Sequence, residues 1–219
     1  MNPEIEKQIR KNQTAALFIN TTQEMIDLEG LEKISIRKIA EQAGYHNSTI
    51  YLHFKDLDEL LMLASMKHFH SYSQALEELS NQTRSPRQIF LAVWDLFFTT
   101  IFQKPDIFYN FFFGKHSNNL QQIMNTYYQI FPEERRSFSR QIESMYFGNN
   151  IQERSLRILE PLIYETSAVT EENLLMINDI TVACCKYKLE QKCKNKELDS
   201  DELKTQLIAI IMHICGLRE

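Results

Sequence analysis

Hydrophobic residues recur at intervals of three and four positions along almost the whole chain, and few stretches alternate as a β-strand does. This spacing predicts an all-α protein. The pattern predicts helices near residues 4–29, 36–43, 47–54, 57–80, 86–103, 106–113, 117–131, 133–146, 151–166, 171–194 and 200–217. Ser85 before Pro86 has the residue types of a helix N-terminus. We expect Pro105, Pro132 and Pro161 to begin or kink further helices.

The segment from Gly30 to Leu61 carries the most specific local pattern in the chain. Gly30 stands where a helix ends with a residue in the left-handed region. Ser35 stands where a hydroxyl group caps the following short helix. That helix has an inner face of small and apolar residues, namely Ile36, Ile39, Ala40 and Ala43. Gly44 then predicts a tight turn.

A second short helix follows the turn at Gly44. Its periodicity directs Ile50 and Phe54 inward, and the outward positions hold Asn47, Ser48, Thr49 and Tyr51. Two short helices joined by a glycine-containing turn form a helix-turn-helix. Small polar side chains at the start of the second helix suit base edges and phosphates in a major groove.

A set of residues in this segment is more specific than the helix spacing alone. Its members are Ile39-Ala40, Ala43-Gly44, Thr49, Tyr51, His53-Phe54 and Leu60-Leu61. This set resembles the signature of the TetR family of transcriptional regulators. The resemblance implies a three-helix DNA-binding domain over residues 1–56. It also implies a C-terminal helical bundle over residues 57–219 that senses a ligand and dimerises.

Three positions depart from that signature. Tyr45-His46 replaces a usual Val-Ser, Ser48 replaces a common Gly, and Leu57 stands where a phosphate-contacting lysine is frequent. We expect the first two to alter operator preference and the third to remove one phosphate contact, which Lys55 is close enough to replace in part. The resemblance implies a DNA-binding set of Ser35, Arg37, Lys38, His46, Asn47, Ser48, Thr49, Tyr51, His53 and Lys55.

The charge of this region is unusual for a DNA-binding domain, because residues 1–56 hold seven basic and eight acidic side chains, a net charge of −1. The basic residues concentrate where such proteins meet backbone phosphates. Each of these residues also has an interpretation without DNA contact. Tyr51 and His53 would then pack against neighbouring helices, and Arg37 and Lys38 would form an ordinary solvent-exposed face. The alternative function is a regulatory module of the same fold that has lost DNA binding and acts through a partner protein.

Composition excludes several other functions. Five glycines in 219 residues, with no GxGxxG or GxxxxGK[ST] pattern, exclude the common nucleotide-dependent enzymes. His68 and His70 are two positions apart, and the chain has no HExxH, CxxC or GxSxG pattern. We therefore predict no catalytic residues, no metal and no cofactor. Four cysteines with two adjacent, and no apolar leader, predict free thiols in a reducing cytoplasm.

Aromatic residues are concentrated in the middle of the chain, with ten between Phe90 and Phe113. They form either a plain core or, as in TetR family members that bind a small ligand between their C-terminal helices, an effector pocket. The predicted pocket residues are Trp94, Phe97, Phe98, Phe102, Phe108, Phe112 and Tyr128. A small apolar or aromatic effector is expected. A strong anion is not, because no arginine or lysine lies between Ile89 and Gln103.

The last two predicted helices each carry an apolar stripe, and Asp199 has the residue type of the cap before the final one. One stripe is needed to close a monomer core. The resemblance implies that the pair also forms a homodimer interface, with Ile177, Ile180, Cys184, Leu207, Ile211 and Ile214 in it. It further implies a repressor that binds a palindromic operator. An effector would tilt the helix from Leu57 to Leu79 and change the separation of the two recognition helices.

Overall fold

The computed structural model describes residues 3–217, and the regular structure within that range is helical. The all-α prediction is therefore confirmed. The α-helices are α1 (Pro3–Glu29), α2 (Ile36–Ala43), α3 (Asn47–Ile50), α4 (Leu57–Ser65), α5 (His70–Ser80), α6 (Pro86–Ile101), α7 (Pro105–Phe113), α8 (Leu120–Ile130), α9 (Arg140–Tyr146), α10 (Ile151–Leu159), α11 (Leu174–Lys194) and α12 (Ser200–Ile214).

The predicted helix over residues 57–80 is divided into α4 and α5 by a 3₁₀ turn at Met66–Phe69. The hydroxyl of Ser65 donates a hydrogen bond of 2.7 Å to the carbonyl oxygen of Leu61. A serine that bonds to the preceding turn in this way often bends a helix. The hydrophobic spacing continues across the break, which is why the sequence pattern showed one helix.

Proline positions explain two further differences from the predicted boundaries. Pro132 begins a 3₁₀ turn over Pro132–Glu134, and α9 begins only at Arg140, so the helix predicted over 133–146 is half its expected length. Pro161 follows the end of α10 and lies in a 3₁₀ turn over Glu160–Tyr164. Proline supplies no backbone N–H, so it ends the α-helical hydrogen bonding at this point.

Two predicted caps are present as expected. Ser85 accepts a hydrogen bond from the N–H of Gln88, and the Gln88 side chain accepts one from the N–H of Ser85, at 3.3 and 3.0 Å. This reciprocal capping box starts α6, with Pro86 as its first residue. Asp199 accepts hydrogen bonds from the N–H groups of Asp201 and Glu202 and so starts α12.

The chain forms two compact units. The first contains residues 3–70 and 122–135, and the second contains residues 71–121 and 136–217. The first unit holds the helix-turn-helix, and its core contains Phe18, Ile19, Ile39, Ala40, Ile50 and Leu60. By its contacts α4 belongs to this unit, which extends beyond residue 56. The predicted division into a DNA-binding part that ends at residue 56 and a ligand-sensing part that begins at residue 57 concerns function and stays a prediction.

The second unit surrounds α6 and α11. Helix α6 packs on α10 and α12, and α11 packs on α7, α10 and α12. The core of this unit is rich in phenylalanine, with Phe90, Phe98, Phe108, Phe111 and Phe112 almost completely buried. None of the helices between residues 3 and 217 has the length and the low charge that crossing a lipid bilayer requires.

Candidate DNA-binding surface and effector cavity

The turn between α2 and α3 is set by Gly44, which adopts the left-handed conformation with φ 75° and ψ 29°. Its N–H donates to the carbonyl oxygen of Glu41 at 3.2 Å, and the N–H of Tyr45 donates to that of Ala40 at 2.9 Å. Ser35 caps the other end of α2 by accepting a hydrogen bond from the N–H of Lys38. The predicted turn and cap are both present, so the two helices meet as in a helix-turn-helix.

The conformation predicted for Gly30 is only partly observed. Its φ of 83° is positive, as expected, but its ψ of 158° lies outside the left-handed helical region. The N–H of Gly30 still donates to the carbonyl oxygen of Ile26 at 2.9 Å. The chain continues from this glycine into a 3₁₀ turn over Leu31–Lys33, and this extended exit explains the difference.

The first residues of α3 present polar side chains to solvent. His46 caps the helix, because its Nδ1 accepts a hydrogen bond from the N–H of Ser48 at 3.3 Å and lies 2.8 Å from the Ser48 hydroxyl oxygen. The Nδ1 atom and the Ser48 hydroxyl are therefore engaged with each other. Asn47 is exposed beside them, and its amide can both donate to and accept from a base edge.

Tyr51 follows α3 and is 58% exposed. That exposure does not fit the alternative role as a helix-packing residue, and it leaves the phenolic hydroxyl accessible to donate a hydrogen bond to a phosphate oxygen. Thr49 is half-buried on the preceding turn. The outward positions predicted for Asn47, Ser48 and Tyr51 are thus exposed, while Thr49 is only partly so.

The basic residues near α2 differ in whether their charges are already paired within the protein. The Lys38 ammonium forms an ion pair of 2.9 Å with Glu29 and donates to the carbonyl oxygen of Lys33 at 2.9 Å. Arg37 and Lys55 are exposed. The geometry therefore favours Arg37 and Lys55 as phosphate contacts over Lys38, whose charge is already partly compensated.

His53 lies against the aromatic core of the first unit. Its ring centroid is 5.9 Å from that of Phe18 and 6.1 Å from that of Phe54. Burial, and secondarily the positive charge of Lys11, lowers the pKa of His53 from its usual value. This environment favours the packing alternative for His53, since a neutral, half-buried imidazole is a weak phosphate ligand.

Leu57 is the first residue of α4 and is half-buried. Asp56 caps this helix by accepting a hydrogen bond of 2.9 Å from the N–H of Glu59, and Glu59 accepts one from the N–H of Lys55. These carboxylates satisfy the amide groups at the helix start. A leucine at this position contributes packing where the family signature has a cation.

The second unit contains a small cavity beside the aromatic helix α6. Its walls come from α5, α6, α9 and α10, and the lining residues are Tyr72, Val93, Trp94, Phe97, Met145, Ile151, Arg154, Ser155 and Ile158. The cavity volume is about 10 Å³, close to the space that one water molecule requires. Aromatic rings form one wall, and Trp94 stacks on Phe98 with a centroid distance of 5.0 Å.

The predicted pocket residues are distributed differently from expectation. Trp94 and Phe97 line the cavity, whereas Phe98, Phe102 and Phe108 are buried in the core beside it. Phe112 lines a separate open groove of about 340 Å³ near α11. Tyr128 is buried within the first unit, whereas Trp94 and Phe97 belong to the second.

Seven of the nine residues that line this cavity were not predicted from the sequence, and those that carry a polar group are Tyr72, Arg154 and Ser155. One signal could have identified Arg154: it falls on the same helical face as Ile151 and Ile158, where an arginine interrupts an apolar stripe. Its guanidinium carbon lies 5.4 Å from the ring centroids of both Phe112 and Tyr146. The cavity therefore has a cationic side chain that α6 by itself does not supply.

Helix α11 is apolar on two opposite sides. Ile177 faces its own core together with residues such as Val182 and Leu189, and all three are buried. The opposite side presents Met176, Ile180 and Tyr187 to solvent at helical spacing, with exposed fractions of 58%, 38% and 58%. We call these three residues the outer face of α11.

The six predicted interface residues divide accordingly. Ile177, Leu207 and Ile211 are buried within their own chain, so their side chains are not available to a partner. Ile180 is exposed, and Cys184 and Ile214 are half-buried. The apolar pattern cannot distinguish the two sides of α11, because both sides carry hydrophobic residues.

The four cysteines are free thiols in the structure. Burial raises the pKa of Cys185, and it raises the pKa values of Cys193 and Cys215 to about 12. A thiol that stays protonated at neutral pH is a poor nucleophile. These three cysteines therefore behave as packing residues.

Comparison with known proteins agrees with this geometry. Residues 18–62 match the family described as bacterial regulatory proteins, tetR family. An uncharacterized HTH-type transcriptional regulator of Haemophilus influenzae is 28% identical over 100 residues. That alignment covers 46% of this chain, and the chain spans only about half (54%) of the length of that relative.

Solved structures share the fold over nearly the whole chain. The FadR repressor of Thermus thermophilus, in complex with lauroyl-CoA, has a TM-score of 0.61 at 12% identity and covers 94% of this chain and 96% of its own. RolR in complex with resorcinol has a TM-score of 0.58 at 16% identity, covering 95% and 94%. FadR from Bacillus subtilis, in complex with stearoyl-CoA, has a TM-score of 0.56 at 15% identity, covering 91% and 98%.

The fold and the exposed recognition helix define a DNA-binding protein of the helix-turn-helix class. Within that class, residues 18–62 match the tetR family of bacterial regulatory proteins, and 100 residues of the chain are similar to an HTH-type transcriptional regulator.

Proposed function

We propose that this protein is a cytoplasmic, ligand-responsive repressor that binds a palindromic operator as a homodimer. The observation that carries the proposal is the start of α3, where Asn47, Ser48 and Tyr51 are exposed together on a capped helix. A recognition helix reads base edges with its N-terminal residues. The aromatic cavity of the second unit supports the effector role, because ligand sites are concave and mostly apolar.

The homodimer is supported by the outer face of α11. Apolar side chains such as Met176 and Tyr187 at helical spacing on an exposed face are typical of an interface between copies. A twofold dimer would place two recognition helices on half-sites about one helical turn, ~34–36 Å, apart. The operator would then be an inverted repeat.

Selection of genomic fragments on the purified protein tests the operator. We expect an enriched inverted repeat with the half-site spacing of one helical turn. Tyr51→Phe removes the exposed hydroxyl and should weaken specific and non-specific binding alike while leaving the selected sequence unchanged. Tyr164→Phe, at an exposed tyrosine in the second unit, is the matched control and should bind as the wild type does.

Sedimentation tests the dimer separately. Ile180→Glu places a charge in the outer face of α11 and should shift the protein from dimer to monomer, because burying an unpaired carboxylate is costly. Leu28→Glu introduces the same charge at a highly exposed leucine of α1 and should leave the dimer intact. A wild-type monomer at micromolar concentration in the presence of operator DNA would contradict the homodimer.

The alternative is a module of the same fold that acts through a partner protein and has lost DNA binding. The Lys38–Glu29 ion pair and the leucine at position 57 favour it, because both remove positive charge from the DNA-facing side. Recovery of no enriched DNA at moderate salt, from a protein that is folded and dimeric, would support this alternative over the repressor.

A further inference from the structure

The cavity beside α6 contains a buried cation. Arg154 is 2% exposed, and its guanidinium donates a hydrogen bond to the carbonyl oxygen of Tyr146. It lies within cation–π distance of the rings of Phe112 and Tyr146. The backbone at Gly148 passes so close that an added Cβ would lie 2.8 Å from Cγ of Arg154. These contacts hold the arginine in one place on α10.

Two other polar side chains line the same cavity. Trp94 is 2% exposed and Ser155 is 3% exposed, and neither the Trp94 Nε1 atom nor the Ser155 hydroxyl oxygen has a hydrogen-bond partner among the described residues. Buried polar atoms are normally paired, and an unpaired one calls for a partner such as a bound water or a ligand atom. The Trp94 N–H can only donate, and a serine hydroxyl can donate.

The charge of the lining has one sign. Among the described residues around the cavity there is an arginine but no aspartate or glutamate. Tyr72 adds a phenolic hydroxyl that is hydrogen-bonded to the Arg154 side chain, and burial raises the pKa of Tyr72, so it remains neutral. A cation and neutral donors, surrounded by Val93, Phe97 and Ile158, are complementary to an anionic group attached to an apolar body.

We propose that this cavity binds the carboxylate of an apolar monocarboxylic acid, with Arg154, Trp94 and Ser155 as its head-group ligands. This rests on the proposed function, because it names the chemical class of the effector. It also replaces the expectation that an anion is disfavoured. That expectation considered only α6, and the cation comes from α10, sixty residues later in the chain.

The observed volume sets a condition on binding. A space of about 10 Å³ accommodates a single small group, so the apolar body of the acid must displace side chains of the lining. Trp94 is the only tryptophan in the chain, and it lines the cavity. Binding should therefore change its fluorescence emission.

The experiment measures ligand binding to the full chain in the absence of DNA, by titration calorimetry and thermal unfolding. The probes are octanoate and 4-phenylbutyrate, each paired with its uncharged alcohol, octan-1-ol and 4-phenylbutan-1-ol, and acetate as the head group alone. We expect at least one acid to bind about 10-fold or more tightly than its alcohol, as hydrogen bonds to a charged group imply. It should also raise the unfolding temperature.

Three variants test the named residues. Ser155→Ala keeps the side-chain shape closely and Trp94→Phe keeps an aromatic ring in a smaller side chain, and each removes a donor. Each should weaken the binding of the acid by about 10-fold with little effect on the binding of the alcohol. Arg154→Met should abolish the preference for the acid. The first two variants keep the test informative if Arg154→Met does not fold.

Matched controls come from the same residue types. Ser65→Ala removes a buried hydroxyl that donates within its own helix, and Arg157→Met removes an exposed arginine of α10. Both should keep the wild-type preference for the acid. They separate loss of a head-group ligand from general loss of stability.

Several outcomes would overturn the proposal. One is equal binding of acid and alcohol, and a second is a preference for the acid that survives both Trp94→Phe and Ser155→Ala. A third is binding of acetate as tight as that of the longer acids, which would indicate a small-anion site. Operator affinity is measured separately. Acid binding without any effect on operator affinity would leave this cavity assignment standing and refute the ligand-responsive repressor.

Discussion

The two candidate functional regions of this protein are built in opposite ways. The candidate DNA-binding surface consists of polar side chains, most of them exposed, between Ser35 and Lys55, a run of about twenty neighbours in the sequence. The cavity uses buried side chains from α5, α6, α9 and α10, between Tyr72 and Ile158. The first region needs only a rigid local scaffold, whereas the second requires a complete tertiary core. A mutation in the first region should therefore weaken DNA binding with little change in the free energy of unfolding. A mutation in the second region should lower both ligand affinity and the free energy of unfolding.

The largest expected contrast is between two aromatic residues. Phe98→Ala removes a fully buried ring from the second unit and should lower the free energy of unfolding by about 3–5 kcal/mol. Tyr51→Ala removes an exposed ring and should change it by less than about 0.5 kcal/mol while weakening DNA binding. Urea unfolding and operator titration of both variants provide the measurements. Comparable losses of stability in the two variants would contradict the contrast.

Base readout by α3 should give the next largest effect. Asn47→Ala should reduce operator affinity by about 5- to 150-fold, corresponding to about 1–3 kcal/mol for one base contact, without changing non-specific binding. His46→Ala should instead lose about 1 kcal/mol of stability, because His46 caps the helix. Fluorescence anisotropy with specific and random duplexes distinguishes the two roles. If Asn47→Ala keeps full specificity, the bases must be recognised by other residues or through DNA shape.

The salt dependence of DNA binding can rank the basic residues. Arg37→Gln and Lys55→Gln should each reduce the slope of log K against log salt by about 0.9, the value for one lost phosphate contact. Lys38→Gln should change the slope less, because its ammonium is paired with Glu29. Anisotropy titrations at several salt concentrations measure the slopes. Equal slopes for all four proteins would show that these side chains form a solvated face.

The smallest expected effect is the pH dependence contributed by His53. Its pKa is lowered in the folded protein, chiefly by burial, so the unfolded chain binds more protons between the folded and unfolded pKa values. The contribution of His53 to the free energy of unfolding is fully present above pH 6.5, and it is lost as the pH falls through the lowered pKa. Urea unfolding between pH 7.5 and 5 should show a flatter profile for His53→Phe than for the wild type. His213→Gln, an exposed histidine of α12, should leave the profile unchanged.

Much of the first region was predictable because its determinants are local. The Ser35 cap, the turn at Gly44 and the inward Ile50 depend on hydrogen bonds and spacing within a few residues. A helix cap or a left-handed glycine is recognisable from its neighbours in the chain. The engagement of Lys38 with Glu29 was not predictable, because the two residues lie on different helices.

The sequence by itself determined the helical class, most helix positions and most of the polar residues that are exposed at and just after α3. Hydrophobic periodicity and turn chemistry are local properties, so they are present before any packing is known. Tertiary structure alone decided that Ile177 faces the core while Ile180 faces solvent, and that Tyr128 belongs to a different unit from Trp94. It alone brought Arg154 to the wall that Trp94 forms. Those outcomes depend on how distant helices fill space around one another, and packing of that kind has no signal in neighbouring residues.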